Sequence, residues 1–351
     1  MSAVSAQSRD PWLDNVKMVL VTLVVVGHAI GLVEASAGSH WVYDFIYLWH
    51  IPAFVFVSGY LSKSFEWDRR RMKSLAYTLL VPYLLFEPAL FYYRRGVAGD
   101  DVQGPLWLVP HWTMWYLIVL LMWRLVTPIL KRHWLFLPLS VIVSLLGGLW
   151  TDDSLMIPRF LGLLPFFVLG LHLKPRHLQH LDDVWVKVAA VPMLAGIGVM
   201  ALYTDTWAQS ALLLYDTGYA DIPIDNEIVF QTRLTVMMVG LVGAFAAMSL
   251  VPRRNLGWFT TMGTATMVIY LFHGFVIKTF MAVGWPDFTA AHPILGLVLT
   301  IVGAVVLALL LASPPVRRAL EPFTNPLGWL EGRRNERHPA DRPSSPAPTS
   351  D

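Results

Sequence analysis

The chain has 351 residues and a formal net charge of +2; 56% of its residues are hydrophobic, 14% are charged, and the charges are bunched between long apolar runs. That patterning marks a polytopic membrane protein, and so small a net charge gives no reason to expect a nucleic acid partner. Without a single cysteine the chain has no disulfide, no thiolate nucleophile and no cysteine-ligated metal, and no other metal-ligand set stands out.

Apolar runs of about 17–25 residues predict an all-α fold of about ten transmembrane helices, near 13–33, 43–62, 74–93, 111–130, 134–150, 157–173, 184–204, 227–251, 258–281 and 293–313. No small-residue cleavage pattern follows the first run, so it is read as a retained span and not as a signal peptide. Placing the N-terminus in the cytosol puts Lys63, Arg69, Arg70, Arg71, Lys73, Lys131, Arg132, Lys174, Arg176, Arg253, Arg254, Arg317 and Arg318 inside, and leaves Arg94 and Arg95 as the outer-loop bases. An even number of spans returns the C-terminus to the same side. The expected organisation is a cytosolic tail over 1–12, a transmembrane domain over 13–315 and a tail without fixed structure over 316–351, rich in Pro, Ser, Arg and Asn. The longest outer loop, 205–226, carries Trp207, Tyr215 and Tyr219 and reads either as an interfacial aromatic belt or as an acceptor-binding lid.

The first two spans carry ionisable residues where a lipid-facing helix has none. The step from Lys17 to His28 is eleven residues, which on a helix leaves them within about 20° of one face and about 16 Å apart along the axis. Counting about 1.5 Å per residue from the inner end of each span puts His28, His50, Glu87 and His273 at one height, with Arg159 close to it and Arg233 somewhat above. Each such residue costs about 2.5–3.5 kcal/mol at a helix centre, so a shared polar chamber is the economical explanation. Blander readings stand beside it. Glu87 could simply pair with Arg159 or Arg233, His111 and His172 read as packing or interfacial histidines, and the Arg69–Lys73 cluster could be charge that only sets topology. Pro52 predicts a kink that frees a carbonyl near Leu48.

The ordered motifs resemble those of the acyltransferase 3 family of integral-membrane O-acyltransferases, in particular its fucose 4-O-acetylase-like members. Lys17, ten residues and then His28 match the family's first helix, with Asp14 in the opening Leu13-Asp14-Asn15. Trp49, His50, Pro52, Phe54, Phe56, Ser58, Gly59 and Tyr60 match its second-helix run, with Trp49 where Phe is usual. Leu79–Tyr83, Met114–Leu117, Arg159 with Leu164–Gly170, and Ile269–Gly274 follow in the family's order. Where many members have two arginines three residues apart, this chain has Arg70-Arg71-Met72-Lys73.

The resemblance implies transfer of an acyl group, acetyl first among the candidates, from acyl-CoA as a cytosolic co-substrate to a sugar hydroxyl of an envelope glycan or glycolipid, at the plasma membrane and with no bound cofactor. The donor phosphates call for inner-face bases, which Lys17, Lys63, Arg70, Arg71 and Lys73 supply, with Asp14 holding Lys17 at the mouth. His28, an imidazole that titrates near neutrality when unperturbed, is the expected general base. His50, Tyr116, Arg159 and His273 are candidates for orienting it or stabilising an oxyanion. The rival reading is a carrier or flippase for a lipid-linked sugar, which would use the same chamber without covalent chemistry.

Overall fold

Prolines and capping residues decide where the helices start and break. The computed structural model describes residues 10–33, 35–150, 154–222, 224, 228–327 and 329. In α1 (Pro11–Ile30), Asp10 accepts a hydrogen bond from the Trp12 N–H, and Pro11 occupies a first-turn position that needs no donor. The next span is parted into α2 (Ala37–Tyr47) and α3 (His50–Ser62). Pro52 offers no N–H to the Leu48 carbonyl, and the helix breaks at Leu48–Trp49 as the sequence predicts. The third span joins α4 (Arg69–Leu75), a π-helical turn (Ala76–Leu80) and α5 (Val81–Gly96); Pro82 cannot donate to Thr78, and the wide turn absorbs the missing bond.

The rest of the described fold is α6 (Trp115–Leu130), α7 (Phe136–Gly147), α8 (Ile157–Gly162), α9 (Leu164–His172), α10 (Pro175–Gln179), α11 (Val184–Ala201), α12 (Thr204–Trp207), α13 (Ala211–Leu214), α14 (Val229–Leu250), α15 (Trp258–Met262), α16 (Thr266–Ala282), α17 (Trp285–Ala291), α18 (Pro293–Ala312) and α19 (Pro314–Thr324), with short 3₁₀ turns and no strand among the described residues.

Seven helical segments are long and apolar enough to cross a bilayer, and two bent pairs, Ser154–Gly162 with Leu164–His172 and Thr266–Ala282 with Trp285–Ala291, raise the number to nine. The chain is therefore all-helical and multi-pass. The predicted run 134–150 is the 12-residue α7, about 18 Å long against a hydrocarbon core of about 30 Å. The predicted run 258–281 is interrupted between Met262 and Thr266. Helix α19 extends past residue 316, where the sequence predicts the tail to begin; most of that tail, and residues 1–9, lie outside the described residues.

Helix α1 is the central post, packed by α18, α16, α15 and α3, while α3 in turn packs on α9 and α14. The α3–α9 crossing explains two motif glycines. A Cβ on Gly59 would strike the Phe167 carbonyl, and one on Gly170 would strike the Phe56 carbonyl, so each helix offers its small residue to the other's backbone. On the outside, Ile294, Leu295, Val298, Val302, Val306 and Leu310 of α18 and Val184, Trp185, Val188 and Val191 of α11 are exposed, as a lipid-facing surface requires.

Candidate active site

The upper parts of α1, α2, α3 and α6 enclose a chamber of about 270 Å³ whose wall includes His28, Tyr43, Tyr47, His50, Tyr116, Arg159 and Tyr270. Four of the five residues expected to act chemically, His28, His50, Tyr116 and Arg159, thus meet around one space. The fifth, His273, stands behind His28 and is fully buried.

The protonation pattern of these histidines follows from their partners. His273 Nδ1 lies 2.9 Å from the Ile269 carbonyl, which can only accept, so Nδ1 carries the hydrogen and a neutral His273 has a bare Nε2. That Nε2 lies 2.9 Å from His28 Nδ1, so His28 Nδ1 must donate, and the lone pair of His28 is left on Nε2. The two rings are near-coplanar, 14° apart, as an in-plane bond demands. A relay from Ile269 through His273 therefore fixes the tautomer that makes His28 a base. His50 Nδ1 donates to the Ile46 carbonyl at 2.8 Å, one turn back across the helix break, so in its neutral form its Nε2 can also only accept. That makes neutral His50 unsuited to donating to an oxyanion.

Arg159 reaches the chamber from α8, at the near end of the first bent pair. Its Nη2 is ion-paired with Asp216, its Nε donates to the Leu214 carbonyl at 3.2 Å, and its guanidinium lies 4.5 Å from the centre of the Trp115 ring. Asp216 and Leu214 belong to the long loop, which folds back onto the bundle: Tyr215 is buried, Tyr219 donates to the Leu145 carbonyl at 2.8 Å, and Leu214 lines the chamber. The loop thus forms part of the chamber wall and is not an exposed aromatic belt.

Two residues expected in the chamber are elsewhere. Glu87 pairs with neither Arg159 nor Arg233; it accepts from the backbone N–H of His111 at 3.0 Å and is ion-paired with His111 Nδ1. It pins the turn that carries Trp112, whose ring lies 5.2 Å from that of His28. Arg233 is buried over the face of Tyr215, 3.9 Å from the ring centre, and donates to the Leu212 carbonyl, so it braces the loop from beneath. Counting depth along straight spans does not give the direction in which a side chain points, and neither residue lines the chamber.

Below the chamber is a second cavity of about 480 Å³, lined by Lys17, Ser58, Thr78, Arg124, Thr264 and Thr266 among others. Phe54, Tyr116 and Tyr270 line both spaces, and the wall that these three rings share is termed the neck. The Tyr116 hydroxyl bonds that of Ser58, and Tyr270 donates to the Thr113 carbonyl, which holds the neck rings in place. Among the expected donor residues, Lys17 lines this vestibule and is paired with Asp14 at 2.6 Å. Arg71 pairs with Asp68 and lines a small adjoining hollow that Arg124 also reaches. Arg70 and Lys73 are exposed, with Lys73 5.1 Å from the centre of the Tyr77 ring. Lys63 does not line the vestibule; it sits over the Tyr60 ring and donates to the Leu173 carbonyl, closing the C-terminal end of α9. Sequence reasoning missed Arg124, although an arginine inside the apolar run Trp115–Leu130 is a readable signal.

Among the described residues no group of three or more His, Cys, Asp or Glu side chains is placed to hold a metal ion. The chain matches the profile of the acyltransferase 3 family, described as an acyltransferase domain, over residues 10–313. It is similar to the nodulation protein NolL of Sinorhizobium fredii (strain NBRC 101917 / NGR234), 24% identical over 310 residues that cover 79% of this chain and 80% of that one. It is also similar to the nodulation protein NolL of Mesorhizobium japonicum (strain LMG 29417 / CECT 9101 / MAFF 303099), 24% identical over 301 residues and 77% of each chain. No solved structure matches it. With its motifs in order along a multi-pass helical bundle and the profile spanning nearly all of that bundle, the chain belongs to the acyltransferase 3 family and is an acyltransferase of groups other than aminoacyl groups.

Proposed function

We propose that this protein transfers an acyl group, acetyl first among the candidates, from cytosolic acyl-CoA to a sugar hydroxyl of an envelope glycan or glycolipid, with His28 as general base. Both termini and the Lys63–Lys73 loop face the cytosol in this reading, α7 completes a tenth crossing by tilting neighbours into a locally thinned bilayer, and the plasma membrane is the site of action. The observation that carries it is the tautomer of His28 set by His273, in a chamber that shares the aromatic wall of Phe54, Tyr116 and Tyr270 with a basic vestibule.

The chemistry follows from that layout. The donor's thioester rises through the neck while its phosphates stay among the bases below. The acceptor hydroxyl gives its proton to His28 Nε2 as its oxygen attacks the thioester carbonyl carbon. The resulting oxyanion lies among Arg159 and the Tyr116 hydroxyl, both able to donate, whereas neutral His50 accepts from the acceptor sugar. When the C–S bond breaks, the imidazolium returns its proton to the departing thiolate, leaving ester, free CoA and neutral His28. His273 touches neither substrate; it positions His28 and shares the charge that develops there.

The test is incubation of the purified protein in nanodiscs with isotopically labelled acetyl-CoA and envelope glycan or glycolipid fractions, read by mass spectrometry. An added acetyl mass on the acceptor, absent with His28→Gln, is the expected result. Translocation of a lipid-linked sugar without any ester mass overturns the proposal in favour of the carrier reading.

A further inference from the structure

A cation inside an apolar helix normally finds a counter-charge or a carbonyl, because leaving it unpaired costs several kcal/mol. Four of the other arginines held partly or wholly from solvent obey that rule. Arg159 has Asp216, Arg94 has Asp100 and Arg253 has the Leu178 carbonyl and the Trp12 face, while Arg233 has the Leu212 carbonyl and the Tyr215 face. Arg124 does not. Among the described residues its one side-chain bond runs from Nε to Ser62 Oγ at 3.3 Å, which leaves both terminal nitrogens without a protein partner.

Those nitrogens belong to a half-buried side chain that lines both the vestibule and the smaller hollow beside Arg71. Lys17, the other cation of the vestibule wall, is already matched by Asp14, and Arg71 by Asp68. The unmatched charge of the vestibule is therefore that of Arg124. It lies eight residues beyond the neck residue Tyr116, about 12 Å down the same helix. The same wall carries the hydroxyls of Ser58, Ser74 and Thr266, together with those of Thr78 and Thr264, which donate to the Ser74 and Thr261 carbonyls, and few carbonyls are free in a helical wall to accept from Arg124. A guanidinium with a free fork, on a wall that also carries hydroxyls, fits an anion with several acceptor oxygens.

We propose that Arg124 is the phosphate-binding group of the vestibule and takes the diphosphate of the donor. This rests on the acyl-CoA reading given above. The same chemistry is offered by the phosphodiester of an anionic phospholipid entering from the inner leaflet, so the experiment separates the two sources.

Full-length protein in neutral phosphatidylcholine nanodiscs is titrated with CoA, and its acetyl transfer is measured with acetyl-CoA and with S-acetyl-pantetheine, which lacks the diphosphate. Arg124→Gln should weaken CoA binding and raise KM for acetyl-CoA by about 10- to 100-fold while leaving KM for S-acetyl-pantetheine unchanged. Arg124→Lys, which keeps the charge and loses the fork, should fall between. Equal loss with both donors, or none with either, overturns the assignment; a matched thermal unfolding midpoint shows that the variants are folded. Native mass spectrometry after exposure to phosphatidylglycerol supplies the second arm. A wild-type protein that ignores CoA but retains phosphatidylglycerol through Arg124 keeps the phosphate site and overturns the donor reading, whereas retention unaffected by Arg124→Gln overturns the site.

Discussion

Replacing His273 by Ala removes a group that touches no substrate and should nonetheless slow transfer. In the native protein His28 Nδ1 donates to His273 Nε2 at 2.9 Å, and that bond alone selects the tautomer with its lone pair on Nε2. Without the acceptor, the buried Nδ1–H of the active tautomer is left unsatisfied, at about 1–3 kcal/mol. The other tautomer, with Nε2 protonated and no basic atom toward the chamber, gains by the same amount. Converted to rate, this is a loss of roughly 5- to 160-fold in kcat. KM for the donor should hold, since His273 lines neither the chamber nor the vestibule. The assay is acetyl transfer in nanodiscs at varied donor concentration, normalised to protein that remains monodisperse and folded, because truncating a fully buried ring also opens a cavity. His273→Gln, whose amide oxygen is an acceptor, should restore part of the rate. Transfer within twofold of wild type in a folded His273→Ala protein, or a change confined to KM, would refute the relay.

Other expectations follow from the same geometry. His28→Gln should lose transfer by about 10²- to 10⁴-fold while CoA still binds, and should be no better than His28→Ala; a packing histidine predicts an active Gln variant. Arg159→Lys retains charge but cannot bond Asp216 and the Leu214 carbonyl together, so kcat should drop at least tenfold, and near-normal turnover would make Arg159 a loop anchor only. In the loop after α5, burial raises the Asp100 carboxyl, but Lys278 and Arg94, each bonded to it at 2.7 Å, outweigh this and hold it below the usual range. A depressed folded-state value stabilises above the unfolded one near 3.9 and is lost as pH falls through the folded one, so hydrogen exchange of residues 97–110 should stay slow at pH 5 and quicken only below about pH 4. Quickening already at pH 5–6 would refute the assignment to Asp100.

The fold was readable where the signal runs along one segment. Pro52 announced the break in the second span because a missing N–H has a local consequence at the fourth residue back, and α1 announced its polar face because Lys17 and His28 share a period. Length alone overstated α7, whose run 134–150 spends five of its residues on turns at either end. It also joined α15 to α16, since Gly263 and the turn to Ala265 interrupt a run whose polar residues up to that point are threonines and carry no charge.

Site residues were readable by depth and not by direction. Height along a helix follows from counting, so His28, His50 and His273 were grouped correctly; the azimuth of a side chain depends on packing against helices far away in the chain, as His273 is bonded to a residue 245 positions away. Glu87 and Arg233 show what this leaves out. Each has its partner in a short segment between the long helices, His111 ahead of α6 and Leu212–Tyr215 at the end of α13, which counting along the spans does not bring to either residue. Arg124 is the converse. Its meaning lies in a partner the described residues do not supply, which no pattern of neighbours can display, so only an inventory of each such cation against the available carboxylates and carbonyls sets it apart from Arg94, Arg159, Arg233 and Arg253. Proteins rarely pay the insertion cost of a charge without using it, and the bond that uses this one is therefore to be sought in a substrate.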